Sequence, residues 1–385
     1  MKILRLILFM LPLAGMGQTT WQRGQSSLTL TGRVAAFYNM RTQLDSGLVE
    51  RTRDGFFLRN AQLLMEGDIN RNTSVSIGID LAQIISKAND PQAPPLLSAS
   101  LEYKGLPWFD VLFGFDKVPY GRNNQVGFFQ SPWWNRPEIA GGVLFSRRDV
   151  GITLRKSFWH QRIKVWLGAY NGLGEAALLG RNDPSGKPEY IGRVEVSYPS
   201  RYKYEEVDFT HRPIPVISLG ANGRWAEKYL PMGSSFAAGA AGDFGSKVVN
   251  GKKITYGLDM AAAWEGFTLQ AEIHRFEARL RDSSDALLQG YPSRLTRNWF
   301  RAGGAFLQAA YHIKPIKTIF SVRYEQQNLS DLVPGEFSRV GFAVAFAPKG
   351  SKSMIKLQIL HNIKDDPQDP MGYRTGIRVG WQAIF

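Results

Sequence analysis

The chain has 385 residues, no cysteine, and 47 Lys plus Arg against 33 Asp plus Glu, a formal charge of +14. Without cysteine there is no disulfide framework, no thiolate metal site and no lipid-anchored N-terminal cysteine. So basic a balance suits nucleic acid, an acidic membrane surface or anionic solutes.

Residues 1–17 read as a secretory signal. Lys2 and Arg5 form the positive start, Leu6 to Ala14 a short apolar core, and Gly15-Met16-Gly17 a small-residue cut site before Gln18. That apolar run is too short to cross a membrane as a helix, and no later segment reaches about 18 apolar residues. The expected mature chain, 18–385, is exported and keeps 45 basic residues against 33 acidic once Lys2 and Arg5 are gone. Export takes nucleic acid off the list of partners. No composition break, low-complexity tract or charge block divides residues 18–385, so a single domain is expected.

From residue 27 onward the recurring signal is period-two alternation, which belongs to strands. Ser27 to Asn39 puts Leu28, Leu30, Val34, Ala36 and Tyr38 on one face and Thr29, Thr31 and Arg33 on the other. Gly55–Glu66 follows, and then Thr73–Ala82, where Val75, Ile77, Ile79 and Leu81 alternate with Ser74, Ser76, Gly78 and Asp80. The pattern continues through 97–103, 108–115, 149–158, 162–170, 191–198, 216–225, 255–264 and 267–276. It ends with 303–312, 317–326, 338–346, 354–361 and 376–385, giving about sixteen strands of membrane-crossing length, an even number as single-chain bacterial barrels require.

Long and short connections alternate. Long ones fall at 40–54, 83–96, 117–148, 172–189, 227–251, 277–298, 328–336 and 363–373; tight turns sit between them, as at Glu265-Gly266 and Pro348 to Ser351. One connection breaks the rule: residues 199–213 stand where a few-residue turn belongs. All long loops at one end, with one apolar and one polar face per strand, define an all-β transmembrane antiparallel barrel in a Gram-negative outer membrane, bathed in its lipids. The final Trp381-Gln382-Ala383-Ile384-Phe385 is a strand closed by an aromatic, and Phe385 looks like the signal read by barrel assembly machinery.

The stretch 117–148 is the third of the long loops. Pro119 and Gly121 stop the preceding strand, because proline lacks the ladder donor and glycine tolerates a sharp turn. Its content of Phe128-Phe129, Trp133-Trp134, Arg136, Arg147 and Arg148 argues against disorder, and the expectation is a loop folded into the barrel lumen, setting its width and charge.

Several segments resemble the phosphate-selective porin family, porin O/P. They are Gly55-Phe56-Phe57-Leu58-Arg59-Asn60-Ala61-Gln62-Leu63, where the family's usual paired arginines are here Arg59 and Asn60, and Gly114-Phe115-Asp116-Lys117-Val118-Pro119-Tyr120-Gly121. Gly168-Ala169-Tyr170-Asn171-Gly172, Gly257-Leu258-Asp259 leading to Ala271-Glu272, and Arg323-Tyr324-Glu325 add to the resemblance. It implies a sixteen-stranded, anion-preferring channel, typically a homotrimer, with the third loop turned inward and small anions such as phosphate as solutes.

A pore selects ions through the charges at its narrowest point. Alternation points Arg33, Arg155, Arg193, Arg224, Arg323, Arg339, Lys356 and Arg378 inward, and equally Glu66, Asp80, Glu102, Asp110, Glu195, Asp259, Glu272 and Glu325. The wall is then balanced. Loop 117–148 breaks the tie with Lys117, Arg122, Arg136, Arg147 and Arg148 over Asp116 and Glu138, so these five are the candidate anion-binding constriction. Two other readings stay open: a general or sugar-type porin with Phe128, Phe129, Trp133 and Trp134 as an aromatic slide, and a lipase-like barrel enzyme. The five histidines fall in separate segments without metal-ligand spacing, and no Gly-x-Ser-x-Gly elbow or phosphate-cradling glycine loop is present, so neither catalytic residues, metal nor cofactor are expected.

Overall fold

The computed structural model describes residues 18–42, 54–86, 95–141, 145–174, 185–229, 249–281, 299–328, 336–364 and 374–385. The expected signal segment and the middles of most long connections lie outside the described residues.

Sixteen antiparallel strands form a closed ring. In chain order they are β1 (Ser26–Thr42), β2 (Gly55–Asn70), β3 (Thr73–Asp80), β4 (Leu96–Tyr103), β5 (Asp110–Lys117), β6 (Arg148–Phe158), β7 (Ile163–Tyr170) and β8 (Glu189–Tyr198). The second half comprises β9 (Val216–Lys228), β10 (Gly251–Trp264), β11 (Phe267–Leu280), β12 (Trp299–Ile313), β13 (Thr318–Asn328), β14 (Phe337–Phe346), β15 (Ser353–Lys364) and β16 (Thr375–Ile384). Each strand pairs with its neighbours in sequence, and β16 returns to β1 with Ile384 opposite Arg33 and Thr375 opposite Thr42. That last ladder removes the open edge that hydrocarbon would not tolerate. Phe385 extends the seam, exchanging backbone hydrogen bonds with Gly32 at 2.6 and 2.9 Å.

The ring follows from the alternation. Along β9, β10 and β11 buried and exposed positions alternate. The exposed row is apolar, with Leu258, Leu219, Ile273 and Val322 all more than half exposed. Tyr103, Tyr198, Trp225 and Trp264 are exposed at strand ends, where aromatic girdles meet the membrane surface. Glu265 and Gly266, φ 45° and 88°, join β10 to β11 as a two-residue turn of the left-handed type that matches strand twist.

Three local features depart from the sequence expectation. Thr19–Arg23 forms a further short strand outside the sixteen, turned at Gly24 (φ 62°) and paired with the start of β1; its five exposed residues are too few for alternation to register. Pro348–Ser351, expected as a tight turn, includes a short strand. And β2 carries a bulge: Ala35 pairs with Asn60 and Ala36 with Leu58, so Arg59 is the extra residue.

The two sides of the ring differ inside. On β8 to β15 the polar inner-face side chains are buried, among them Arg193, Glu195, Asp259, Glu272, Arg323 and Arg339. On β1 to β6 several stay accessible: Arg59 and Glu66 are exposed, and Arg33, Glu102, Asp110 and Arg155 partly so.

The lipid face is testable at Leu258, midway along β10. Leu258→Arg should destabilise the folded barrel by about 2–4 kcal/mol, the cost of a cation at mid-membrane. Equilibrium unfolding in lipid vesicles checks it, and a neutral result would mean this row does not meet lipid.

Candidate functional site

The segment after β5 cannot continue a ladder, so its backbone groups are satisfied by its own side chains and by those of the barrel wall. Gly121 (φ 68°) makes the turn, and a single helical turn, Arg122–Gln125, follows. Asn124 Nδ2 donates to the carbonyls of Val118 (2.8 Å) and Arg147 (3.0 Å), fastening the two ends of the loop together. Arg136 donates to the carbonyl and side chain of Asn123 and to Val126 O at 2.5 Å. Lys117 Nζ donates to Gln125 O at 3.0 Å.

The loop is also fastened to the inner faces of β13 to β16. Trp133 Nε1 donates to Ser321 Oγ at 3.0 Å, and its ring lies over Gly341, where any Cβ would come within 2.8 Å. The Arg323 guanidinium lies over the Trp133 ring, 4.1 Å from its centroid, and donates to Asn135 O at 3.0 Å. The Trp134 amide donates to Gln358 Oε1 at 2.7 Å, and Gln382 Nε2 to Phe129 O at 2.8 Å. Both indoles are 0% exposed. Buried like this, Trp133 and Trp134 pin the loop and present no ring to a passing sugar.

About half of the wall charges named from sequence are buried in ion pairs. Arg193 bridges Asp259 (2.9 Å through Nη2) and Glu195 (3.1 Å). Arg224 grips Glu189 through two bonds of 3.1 and 2.7 Å, and Lys253 joins the same carboxylate at 3.0 Å. Arg339 holds Glu325 at 2.8 Å and Glu138 of the loop at 2.9 Å. Glu272 accepts from the Asn123 amide and pairs with His274. Arg155 pairs with Glu102 and Asp110. Lys356 lies 5.0 Å from the Trp134 ring and 5.2 Å from that of Phe128. Arg378 donates to Asn39 and Asn135, and Arg33 sits over the Phe129 ring.

The five loop candidates separate into two groups. Arg122 is buried, 4.2 and 5.1 Å from the rings of Tyr202 and Tyr204, and donates to Lys203 O at 2.6 Å. Lys117, Arg136, Arg147 and Arg148 gather elsewhere, close enough for the three guanidinia to repel the Lys117 charge. Burial pulls Arg136 down to about 10, with Arg148 and Arg59 adding to the effect against Glu206 and Glu272; it stays charged at neutral pH. Among the described residues, Lys117 and Arg136 have neutral hydrogen-bond partners and no direct carboxylate contact.

Arg59 belongs with this group and alternation did not find it. The bulge turns Arg59 and Asn60 to the same side: Asn60 donates to Asp80 at 2.6 Å, as does Gln62 at 3.1 Å, while Arg59 lies 5.5 Å from the Phe128 ring of the loop. Two adjacent polar residues interrupting an apolar strand are the trace such a bulge leaves in sequence.

No family model matches this sequence, and no curated protein matches it significantly. Solved outer-membrane structures do share the fold. The outer membrane channel DcaP of Acinetobacter baumannii superposes over 94% of this chain and 99% of its own, with TM-score 0.59 at 13% identity. An anion-selective porin from Comamonas acidovorans covers 94% of this chain and 100% of its own (TM-score 0.55, 12% identity). The trimer form of OmpT, an outer membrane protein of Vibrio cholerae, covers 94% and 100% (TM-score 0.58, 8% identity). The architecture is that of an outer-membrane β-barrel.

The buried Arg193–Asp259 pair provides a test of how the inner wall is held. Asp259→Ala leaves a buried cation short of a partner and should cost about 3–5 kcal/mol, whereas the double change Arg193→Met with Asp259→Leu should recover most of that loss. Denaturant midpoints of the refolded barrels measure both. Equal midpoints for wild type and Asp259→Ala would mean that water reaches the pair.

Proposed function

We propose that this protein is an outer-membrane porin of a Gram-negative bacterium, passing small hydrophilic solutes with a preference for anions. Loop 117–148 is its constriction. Of the residues named from sequence, Lys117, Arg136, Arg147 and Arg148, joined by Arg59, face the solute, and Arg122 holds the loop in place.

One observation carries the reading. The carboxylates Glu195, Asp259, Glu272 and Glu325 of β8 to β13 are withdrawn into buried contacts, while the Arg59, Lys117, Arg136, Arg147 and Arg148 group lies beside the accessible inner faces of β1 to β6, where Glu102 and Asp110 pair with Arg155 and Glu66 stays exposed. Low-dielectric walls focus that excess charge on the path. Arginine matches phosphate and carboxylate by paired donors, while lysine serves as a point charge. Small oxyanions such as phosphate are therefore the solute class, in line with the resemblance to porin O/P and with the anion-selective porin among the similar folds. Assembly as a homotrimer follows the trimer form of the Vibrio cholerae protein. Removal of residues 1–17 and engagement of assembly machinery through Phe385 belong to the same reading.

In planar bilayers under a salt gradient, the wild-type reversal potential should favour anions, most strongly in dilute salt, because the Debye length falls from about 10 Å at 0.1 M to about 3 Å at 1 M. Arg147→Gln with Arg148→Gln should lower the anion-to-cation permeability ratio severalfold, and Arg59→Gln should lower it further. Lys314→Gln with Lys317→Gln, on an exposed turn, should leave it unchanged. Equal losses from the two double variants would assign selectivity to diffuse surface charge, and a cation-preferring wild type would end the argument.

A further inference from the structure

Most connections on the short-turn side of the ring are brief, but 199–213 between β8 and β9 is long and turns into the barrel. Tyr202, Glu206, Val207 and Asp208 are all buried. Val207 packs into a cluster with Ala310, Ile319, Ala345 and Met354 from the inner faces of β12 to β15. Thr268 Oγ1 donates to Glu206 O at 2.8 Å, and Gln270 Nε2 to Glu205 O at 2.7 Å, so β11 holds the connection's backbone as well.

Its tip meets loop 117–148 head on. The Glu206 carboxylate accepts from Asn123 Nδ2 at 2.7 Å and Ser131 Oγ at 2.5 Å, both on the loop, and from Gln308 Nε2 at 3.2 Å on β12. Arg122 of the loop lies against Tyr202 and Tyr204 of the connection. One buried carboxylate thus ties loop, connection and wall. A buried carboxylate that has satisfied its lone pairs this fully is costly to pull away.

We propose that residues 199–213 and residues 117–141 of the loop together form a fixed partition that closes the part of the lumen lined by β8 to β15, confining solutes to the wall of β1 to β6, with Glu206 as the residue that joins the two segments. This inference rests on the reading of the barrel as a channel and adds a second element to its constriction.

Replacing residues 200–212 by Asn-Gly should raise single-channel conductance by about twofold or more, since the closed part of the lumen opens to solutes. Heat-modifiable mobility on gels identifies the folded barrel. A second variant serves if that one does not fold: Arg122→Cys with Lys203→Cys, which keeps Glu206 and Ser131, in a chain that has no other cysteine. A short bifunctional methanethiosulfonate reagent should join the two in the folded protein, and conductance should be the same before and after reductive release, as a fixed partition requires. Failure to crosslink, or a conductance that jumps on release, would overturn the proposal. A conducting wild type whose shortened variant conducts identically overturns this inference alone; a wild type that passes no current overturns the channel reading and this one with it.

Discussion

A backbone amide in hydrocarbon has no water to bond with, so every N–H and C=O in a membrane-crossing segment must find its partner within the protein. The closed ring meets this requirement. Sixteen ladders, the last one joining β16 to β1, leave no edge within the ring of sixteen strands. Once the ring is closed, every strand has an outside and an inside, and the two-residue period of the chain assigns each side chain to one of them. Apolar residues such as Leu219, Leu258 and Ile273 stand outside, and charged residues such as Arg193, Asp259 and Glu272 inside.

A ring of this size encloses more space than inner-face side chains fill. Here chain segments occupy much of it, and they bring irregular backbone and charged groups into burial with them. The cost of burying those groups is offset by pairing. Asn124, Arg136 and Glu206 satisfy loop backbone and side chains, and Arg193, Arg224 and Arg339 each hold carboxylates in well-aligned geometry. The two tryptophans add apolar contact and two directional bonds to the wall. What holds the loop is thus the same set of interactions that neutralises the inner wall.

This coupling explains how a wall with as many acids as bases can leave basic groups gathered on one side of the ring. Pairing is not uniform around the ring. The carboxylates of β8, β10, β11 and β13 are consumed by bridges and by loop donors, and they are shielded from solvent. Near β2, β5 and the start of β6 the basic groups lie close to one another, with amide oxygens and aromatic faces among their partners. A summed charge over all inner positions treats shielded and accessible groups alike, and the field felt by a solute does not.

Much of this protein is legible in its sequence. Strand number, the identity of the outer face, the side on which most long connections fall and the extent of the third loop all rest on local rules: side chains alternate with period two, and turns need proline, glycine or left-handed residues. Those rules act between neighbours in the chain, so the chain carries them. The bulge at Arg59 is partly legible, since two polar neighbours break the alternation, but the direction in which each one points depends on pairing with Ala35 and Ala36 on another strand. The rest required the tertiary structure. That Arg122 is buried against Tyr202, that Trp133 and Trp134 are anchors, and that 199–213 turns inward to meet the loop at Glu206 are contacts between residues about 75 to 225 positions apart. Period and composition fix which face of a strand a charge occupies. Whether that charge is shielded in a pair or left facing the solute is decided by which distant segment comes to lie over it, and no local pattern encodes that distance.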